Sequence, residues 1–298
     1  MTKLFALIRR NTMLYFRDKG MFLTSLITPM ILLVLYGTFL GNIYEDSFRS
    51  ALDAAGATVS DAVIKGCVGG QLVSSLLAVS CVTVAFCSNL LMVQDKVSGA
   101  RRDLTIAPLS PSTLALSYYL STLISSLLIC LAATAVCLGY LAIVGWYLSF
   151  GDVTAMVLDV ILLVLFGTVL SSCVILPLST QGQASAVGTI VSAGYGFVCG
   201  AYMPISSFSP GLQKVLSFLP GTYGTSLLRN HAMRGSFAEM SDSGFPQEVM
   251  TAIRDSVDCN LYFFGDKVSM EAMYLILVWS IIGLIALYLA IRTRCRAH

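Results

Sequence analysis

Residues 104–151 read LTIAPLSPSTLALSYYLSTLISSLLICLAATAVCLGYLAIVGWYLSFG and contain no charged side chain. A membrane-spanning helix needs about 20 apolar residues, so this run is long enough for one long span or for two short ones. We predict one span, 112–139, followed by a stretch at the membrane interface. Trp146 and Tyr147 would then lie among the lipid headgroups, where amphipathic rings are enriched.

The composition of the whole chain agrees with a membrane location. Of the 298 residues, 56% are hydrophobic and 11% are charged, whereas about 25% of the residues of a soluble domain are charged. The mean hydropathy is +0.82. The charged residues fall in clusters between long uncharged runs, which excludes an ordinary soluble globule and predicts an integral membrane protein.

The apolar runs predict the fold class and its organisation. We expect a single all-α membrane domain over residues 1–298, with six transmembrane helices. The predicted spans are residues 21–40, 66–93, 112–139, 153–176, 183–202 and 270–291. Residues 3–19 precede them and predict an amphipathic helix on the membrane surface, with its basic side towards the lipid phosphates.

The distribution of basic residues predicts the orientation in the membrane. With the N-terminus inside, 11 of the 18 Lys and Arg residues fall on the cytoplasmic side. They are Lys3, Arg9, Arg10, Arg17, Lys19, Lys96, Arg101, Arg102, Arg292, Arg294 and Arg296. Because positive charge favours the cytoplasmic side of short loops, we expect both termini in the cytoplasm and a bacterial inner or plasma membrane location.

Sequence signatures of soluble enzymes are absent. No G-x-x-x-x-G-K-[ST] loop is present for ATP, and His231 and His298 are far apart without ligand-spaced neighbours. We therefore expect no metal or cofactor on this chain. Asp159 lies in the fourth predicted span and is a functional candidate by default, but its closeness to the span end favours a solvated residue.

Four small residues repeat at four-residue spacing in the fifth predicted span: Gly188, Ser192, Gly196 and Gly200. Small residues at this spacing let another helix approach closely. Two interpretations remain open, namely tight packing within one subunit and a contact at a translocation path.

Two segments outside the spans carry further patterns. Residues 94–110 form a short, charged loop whose charge could simply hold the topology. Residues 203–269 form a mixed segment in which Ser209 and Pro210 suit the N-cap and first position of a helix. Leu212, Val215, Leu216 and Leu219 would form its apolar face, and the pair 220–221 would end it. A second helix follows, and we predict a re-entrant hairpin in the outer leaflet.

Together these two segments resemble the ABC-2 type permeases of ABC exporters, a family with drug, lipo-oligosaccharide and polysaccharide export subunits. The loop matches the family pattern G-x-x-x-x-L-x-x-x-P-[LIV]-S at Gly99, Leu104, Pro108, Leu109 and Ser110. The second segment matches the pattern after the fifth span at Pro204, Phe208, Pro210, Leu212, Leu219, Pro220, Tyr223 and Arg229, with Gly235 closing the run. One departure is Ser209, since a proline commonly follows the aromatic residue directly.

The resemblance implies a permease subunit with no ATPase site of its own. Its expected partners are two copies of an ATP-binding subunit carrying ATP and Mg, a second or related permease, and membrane lipids; no nucleic acid is expected. Residues 94–110 would be the coupling helix that contacts the ATP-binding subunit, helped by the N-terminal helix. The coupling candidates are Gly99, Arg101, Arg102, Asp103, Leu104 and Pro108.

The resemblance also implies that the second and fifth spans flank the pathway. Uncharged walls with Phe86, Tyr195, Phe197 and Tyr202 favour an amphipathic or hydrophobic cargo, such as a drug, lipid or peptide. The alternative is a membrane sensor or assembly protein whose outer segment 204–269 binds a ligand without transport. A membrane-embedded enzyme is disfavoured because the spans contain few titratable residues.

Overall fold

The computed structural model describes residues 2–54, 60–107, 109–242 and 247–297. Pro108, one of the coupling candidates, therefore lies outside the described residues. Within the described residues the fold is helical apart from one short hairpin of two strands, β1 and β2, at Tyr262–Phe263 and Asp266–Lys267.

The N-terminal third begins with α1, Thr2–Arg17, followed by α2, Lys19–Leu35. The Asp18 carboxylate caps α2 by accepting the Met21 N–H at 3.1 Å. A π-helical turn joins α2 directly to α3. The elements that follow are the turn at Tyr36–Leu40, α3 at Gly41–Ala54, α4 at Asp61–Asn89, α5 at Leu91–Val97 and α6 at Ala100–Ile106.

The described residues after α6 form seven helices, a 3₁₀ turn at Ile205–Ser207 and the short hairpin. These helices are α7 at Pro111–Val144, α8 at Phe150–Ile175, α9 at Gln181–Val198, α10 at Pro210–Leu216, α11 at Pro220–Asp242, α12 at Gln247–Ser256 and α13 at Met270–Ala297. Side chains define several starts: Ser110 caps α7 through the Thr113 N–H, and Ser149 forms a capping box with Asp152 at the start of α8.

Among the residues that the structure describes, five helical stretches are long and apolar enough to cross a membrane: Lys19–Ser50, Asp61–Val97, Pro111–Val144, Phe150–Ile175 and Met270–Thr293. The predicted all-α membrane fold is thus confirmed. The uncharged run 104–151 contains one long helix, α7, and not two short spans. The fifth predicted span corresponds to α9, whose glutamines and glycines lower its hydropathy, and a six-helix layout stays a prediction.

Helix α4 lies at the centre of the fold. It packs against α2, α7, α8 and α11. In the most apolar part of the stretch Asp61–Val97, 94% of the residues are buried, compared with 6% in the most apolar part of α13. Helix α13 is at least as apolar as α4, so hydropathy does not explain this difference. Small residues of α4 allow close packing, since a Cβ on Gly70 would lie 2.8 Å from the Ala232 carbonyl of α11.

Helix α11 is longer than the second short helix that the sequence predicts for this segment. It is 23 residues long and packs against α4, α8 and α13, with most of its side chains buried. Its glycines permit this packing, since a Cβ on Gly224 would collide with Leu163 and one on Gly221 with Tyr195. Of the two helices predicted here, α10 is the short one with exposed side chains.

Side-chain contacts bring several predicted basic segments to one end of the bundle, which we call the basic end. Lys96 Nζ donates hydrogen bonds of 2.6 Å to the carbonyls of Leu176 and Leu178, beyond α8. Arg292 near the end of α13 donates to the Ser112 hydroxyl at 2.6 Å. Since α1 also contacts α5, both the start and the end of the chain lie at this end.

Candidate functional site

The coupling candidates lie on two short helices joined by a sharp turn. Gly99 has a φ of +84°, a left-handed conformation that glycine adopts without steric cost. Its carbonyl accepts the Arg102 N–H at 2.8 Å and so begins α6, while the Ser98 N–H donates to the Gln94 carbonyl and ends α5. The glycine therefore sets the direction of α6 relative to α5.

An ion pair fixes α5 to the N-terminal helix α1. Both terminal nitrogens of Arg10 donate to Asp95, at 2.6 and 3.0 Å, and the Tyr118 hydroxyl of α7 donates to the same carboxylate at 2.6 Å. Asp95 is buried, and its hydrogen bond with Arg10 raises the pKa of that guanidinium. One carboxylate therefore joins three helices just before the turn at Gly99.

Sequence reasoning did not single out Arg10, Asp95 or Tyr118 as site residues. Arg10 was placed on the basic side of the surface helix and Asp95 in the charged loop, but their pairing spans 85 positions. The available signal was an acid directly after an apolar span, together with a basic helix, α1, that contains no acid of its own.

The side chains of α6 differ in exposure. Arg102 and Asp103 are exposed, whereas Arg101 and Leu104 are partly buried. No residue of α6 is fully buried. The exposed pair is therefore available for a partner, and Arg101 points towards the rest of the bundle.

Arg229 is the centre of the predicted re-entrant segment and is completely buried. One terminal nitrogen donates to the Val257 carbonyl at 2.7 Å and lies 3.5 Å from the Asp258 carboxylate. The other donates to the Gly200 carbonyl at 2.8 Å and to the Ser75 hydroxyl at 3.3 Å. Arg229 thus ties the end of α9 and the segment after α12 to the central helix α4.

Asp258 completes this cluster and was missed by sequence reasoning. Its carboxylate accepts the backbone N–H groups of Ile205 at 2.5 Å and Ser206 at 3.2 Å, which holds the 3₁₀ turn. Burial raises the pKa of Asp258, whereas Arg229 and the two backbone N–H groups lower it. Its φ of +54° is unusual for a residue with a side chain and marks a constrained position.

The remaining hairpin candidates take different positions. Pro204 is buried before the 3₁₀ turn, Pro210 is the first residue of α10, and Pro220 begins α11 instead of ending the previous helix. Ser209 occupies the N-cap position but its side chain makes no capping bond. Gln213 instead donates to the carbonyls of Ser206 and Phe208, at 3.0 and 2.8 Å.

The predicted apolar face of α10 is only partly buried. Leu216 is buried and Leu219, after the helix, is partly buried, but Leu212 and Val215 are 41% and 59% exposed. Tyr223 anchors the start of α11, since its hydroxyl donates to the Ser217 carbonyl at 2.6 Å.

The small-residue repeat divides into two parts. A Cβ on Gly196 would collide with the ring of Tyr202, and Gly200 has a φ of +73° and contacts Ile205. These two glycines serve packing within the chain. Gly188 and Ser192 are partly buried, and the nearest atom to a Cβ at Gly188 is 3.9 Å away on Leu90, so this half of α9 has room for another helix.

An apolar cleft lies between α2–α3, the end of α9 and α12. Its volume is about 810 Å³. Phe197 and Tyr202 meet edge to face in its wall, with ring centres 5.1 Å apart. The other lining residues are mostly aliphatic or aromatic, with four serines. A cleft of this size and composition suits an apolar or amphipathic molecule.

Asp159 is not the solvated helix-end residue that its sequence position favours. It is 1% exposed. His231 Nδ1 of α11 lies 2.6 Å from one carboxylate oxygen, and the Tyr274 hydroxyl of α13 donates to the other at 2.6 Å. The acid is enclosed because α11 and α13 cover this part of α8, and it joins these three helices by polar contacts.

Comparison with known proteins identifies the family of this chain. No curated protein matches it. The family profile described as ABC-2 type transporter matches residues 2–232, a segment that includes α1, the coupling candidates and the first part of the predicted re-entrant segment, up to and beyond Arg229. Because this match covers more than half of the 298 residues, the chain belongs to the ABC-2 type transporter family, whose members are permease subunits and not ATPases.

Proposed function

We propose that this permease exports an amphipathic or hydrophobic substrate from the cytoplasm, powered by two copies of a separate ATP-binding subunit that carries ATP and Mg. Permeases of this family pair with ATP-binding subunits. Export, the substrate class and a pathway formed with a second or related permease are parts of the proposal.

The observation that best supports coupling to an ATP-binding subunit is the geometry at the basic end. Arg102 and Asp103 are exposed on α6, while the preceding helix α5 is held by Asp95 to both α1 and α7. A force applied to the exposed pair would therefore reach two further helices through one buried carboxylate. Coupling of ATP hydrolysis to transport requires such a rigid connection between two discrete arrangements.

The placement of the helices supports six crossings with both termini in the cytoplasm. Helix α8 ends at the basic end, near Lys96, whereas α13 begins at the opposite end, near Asp159. The chain must cross between them, and the 18 residues of α9 rise about 27 Å at 1.5 Å per residue. Helix α9 is the proposed fifth span, and the basic end is the proposed cytoplasmic side.

The apolar cleft supports the substrate class. It lies beside α9, whose half at Gly188 has space for another helix, and its walls contain no charged side chain. In the proposed pair of permeases, this cleft would adjoin the pathway and receive the apolar part of the cargo.

The experiment exchanges the charges of the exposed pair in the variant Arg102→Glu/Asp103→Lys. The tagged permease is purified with the ATP-binding subunit that it retains, and ATP hydrolysis is measured in lipid nanodiscs. We expect hydrolysis or subunit retention to fall at least about tenfold, because each reversed pair of close charges costs on the order of 1 kcal/mol or more at an interface.

A matched control exchanges the neighbouring opposite charges Asp266 and Lys267, exposed on the hairpin at the other end of the bundle. This variant, Asp266→Lys/Lys267→Glu, should retain the subunit and its activity. Unchanged retention and hydrolysis in the α6 variant would show that α6 is not the coupling element.

A further inference from the structure

Two arginines from distant parts of the chain converge at the basic end. Arg101 of α6 and Arg292 of α13 line the same small cavity of about 100 Å³, together with Tyr118 and the first turns of α7. Arg101 and Arg292 are 191 positions apart in the sequence. Their sequence separation means that folding, and not local sequence, places these two positive charges together.

No acidic side chain explains this placement. Within the residues that the structure describes, neither Arg101 nor Arg292 forms an ion pair with a carboxylate, and Arg292 has the Ser112 hydroxyl as its hydrogen-bond acceptor. The nearby Asp95 is already bound by Arg10 and Tyr118. Asp103 lies two positions from Arg101 on α6, a spacing at which helical side chains do not face each other.

The backbone adds to the positive potential of the cavity. Pro111, Leu114 and Ala115 line it, so it adjoins the N-terminus of the 34-residue helix α7. The N-terminal end of a helix carries a partial positive charge and attracts anions. Two guanidiniums and a helix N-terminus therefore favour a bound oxyanion, whereas the hydroxyls of Thr105 and Tyr118 already donate to the Arg102 carbonyl and to Asp95.

We infer that this cavity binds the phosphate of an anionic phospholipid. Guanidinium groups bind phosphate oxygens in a bidentate manner, which Lys does less well. Basic pockets between membrane helices on one face of a bilayer are known to hold anionic headgroups. The site assigns Arg101 to lipid and leaves Arg102, exposed on the same helix, to the ATP-binding subunit.

The surfaces next to the cavity favour a lipid over a free anion. Ile285 and Leu289, seven and three positions before Arg292 on the same face of α13, are 40% and 51% exposed. Leu116, one turn into α7, is 45% exposed. A phosphate held by the two arginines would place its acyl chains along these apolar side chains, so one molecule would satisfy both surfaces.

The test measures lipid binding to the purified chain by native mass spectrometry, without any ATP-binding subunit. The probes are phosphatidylglycerol, phosphatidylcholine with the same acyl chains, and sodium phosphate. We expect phosphatidylglycerol to bind most tightly, and its affinity to fall about 30-fold in Arg101→Gln/Arg292→Gln, as the loss of two lipid-facing arginines predicts. The variant Arg102→Gln, on the exposed side of the same helix, should change it less than about twofold.

Three results would overturn the inference. They are an unchanged affinity in the double glutamine variant, an equal loss in Arg102→Gln, and displacement of the lipid by sodium phosphate, which would make the ligand a free anion. If the double variant does not fold, the single variant Arg101→Gln replaces it, because a partly exposed arginine on a short helix is dispensable for folding. Its expected loss is about fivefold, and no loss would overturn the inference in the same way.

Discussion

At the scale of single residues, the buried charges are the features that sequence reasoning located least well. Arg229 belongs to a recognisable motif, but its partners lie at Ser75, Gly200 and Val257. Asp159 looked like a helix-end residue and is instead enclosed by α11 and α13. A buried charge persists only where other groups satisfy it, and these groups come from elements far apart in sequence.

Replacing Arg229 by Met should strongly destabilise the permease. The change keeps most of the side-chain volume but leaves Asp258 buried without its cation, which costs about 3–5 kcal/mol in buried pairs. The measurement is the loss of monodisperse protein on heating in detergent. The control Arg234→Met removes an arginine of the same helix that is 71% exposed and 3.5 Å from Asp152. It should cost less than about 1 kcal/mol, because Asp152 keeps its two hydrogen bonds from Ser149.

The double variant Arg229→Met/Asp258→Asn separates charge from packing. It removes the unpaired charge, so it should recover a large part of the stability lost in Arg229→Met. Equal thermal stability of the single and double variants would mean that Arg229 acts through its carbonyl contacts and not through Asp258.

At the scale of the elements, the sequence predicts the apolar helices better than the connections between them. The lack of charge over 104–151 and the pair Ser110–Pro111 are local signals, and they suffice to place α7. The proline and glycine residues that mark turns after α9 are also local signals. The burial of α11, however, depends on Leu163 and Tyr195 fitting against its glycines. A single-sequence pattern of period or charge contains no information on such long-range fits.

The turn between α5 and α6 provides a test at this scale. In Gly99→Ala, the added methyl group meets no atom within 4 Å, so only the backbone is affected. A left-handed φ costs a residue with a Cβ about 1–2 kcal/mol. We expect α6 to shift, with ATPase stimulation reduced several-fold and a small loss of thermal stability.

The control for this variant is Gly182→Ala in the first turn of α9. This glycine also has no atom within 4 Å of an added Cβ, and its φ is not positive. Alanine there should be neutral or stabilising by up to about 1 kcal/mol. If both variants behave alike in the ATPase assay, the left-handed turn has no special part in coupling.

At the scale of the whole molecule, the ends of the helices form two chemically different sides. The basic end gathers α1, α5, α6 and the last turns of α13, and its contacts at Asp95 and Ser112 connect the two ends of the chain. The opposite side carries the short hairpin and the cluster around Arg229. The distribution of Lys and Arg predicts which side is cytoplasmic. Because each side has exposed residues, this prediction can be tested by labelling them.

Single cysteines at exposed positions should report the two sides separately. The native cysteines should react little with a labelling reagent, since the eight that the structure describes are buried. The ninth, Cys295, is replaced by serine. With a maleimide that cannot cross membranes, Asp266→Cys on the hairpin should be labelled in intact cells. Asp103→Cys on α6 should be labelled only after the membrane is opened, because six crossings put α6 inside. If Asp103→Cys and not Asp266→Cys is labelled in intact cells, the orientation is the reverse of the proposed one. If both positions are labelled from outside, the chain cannot cross the membrane an odd number of times between α6 and the hairpin.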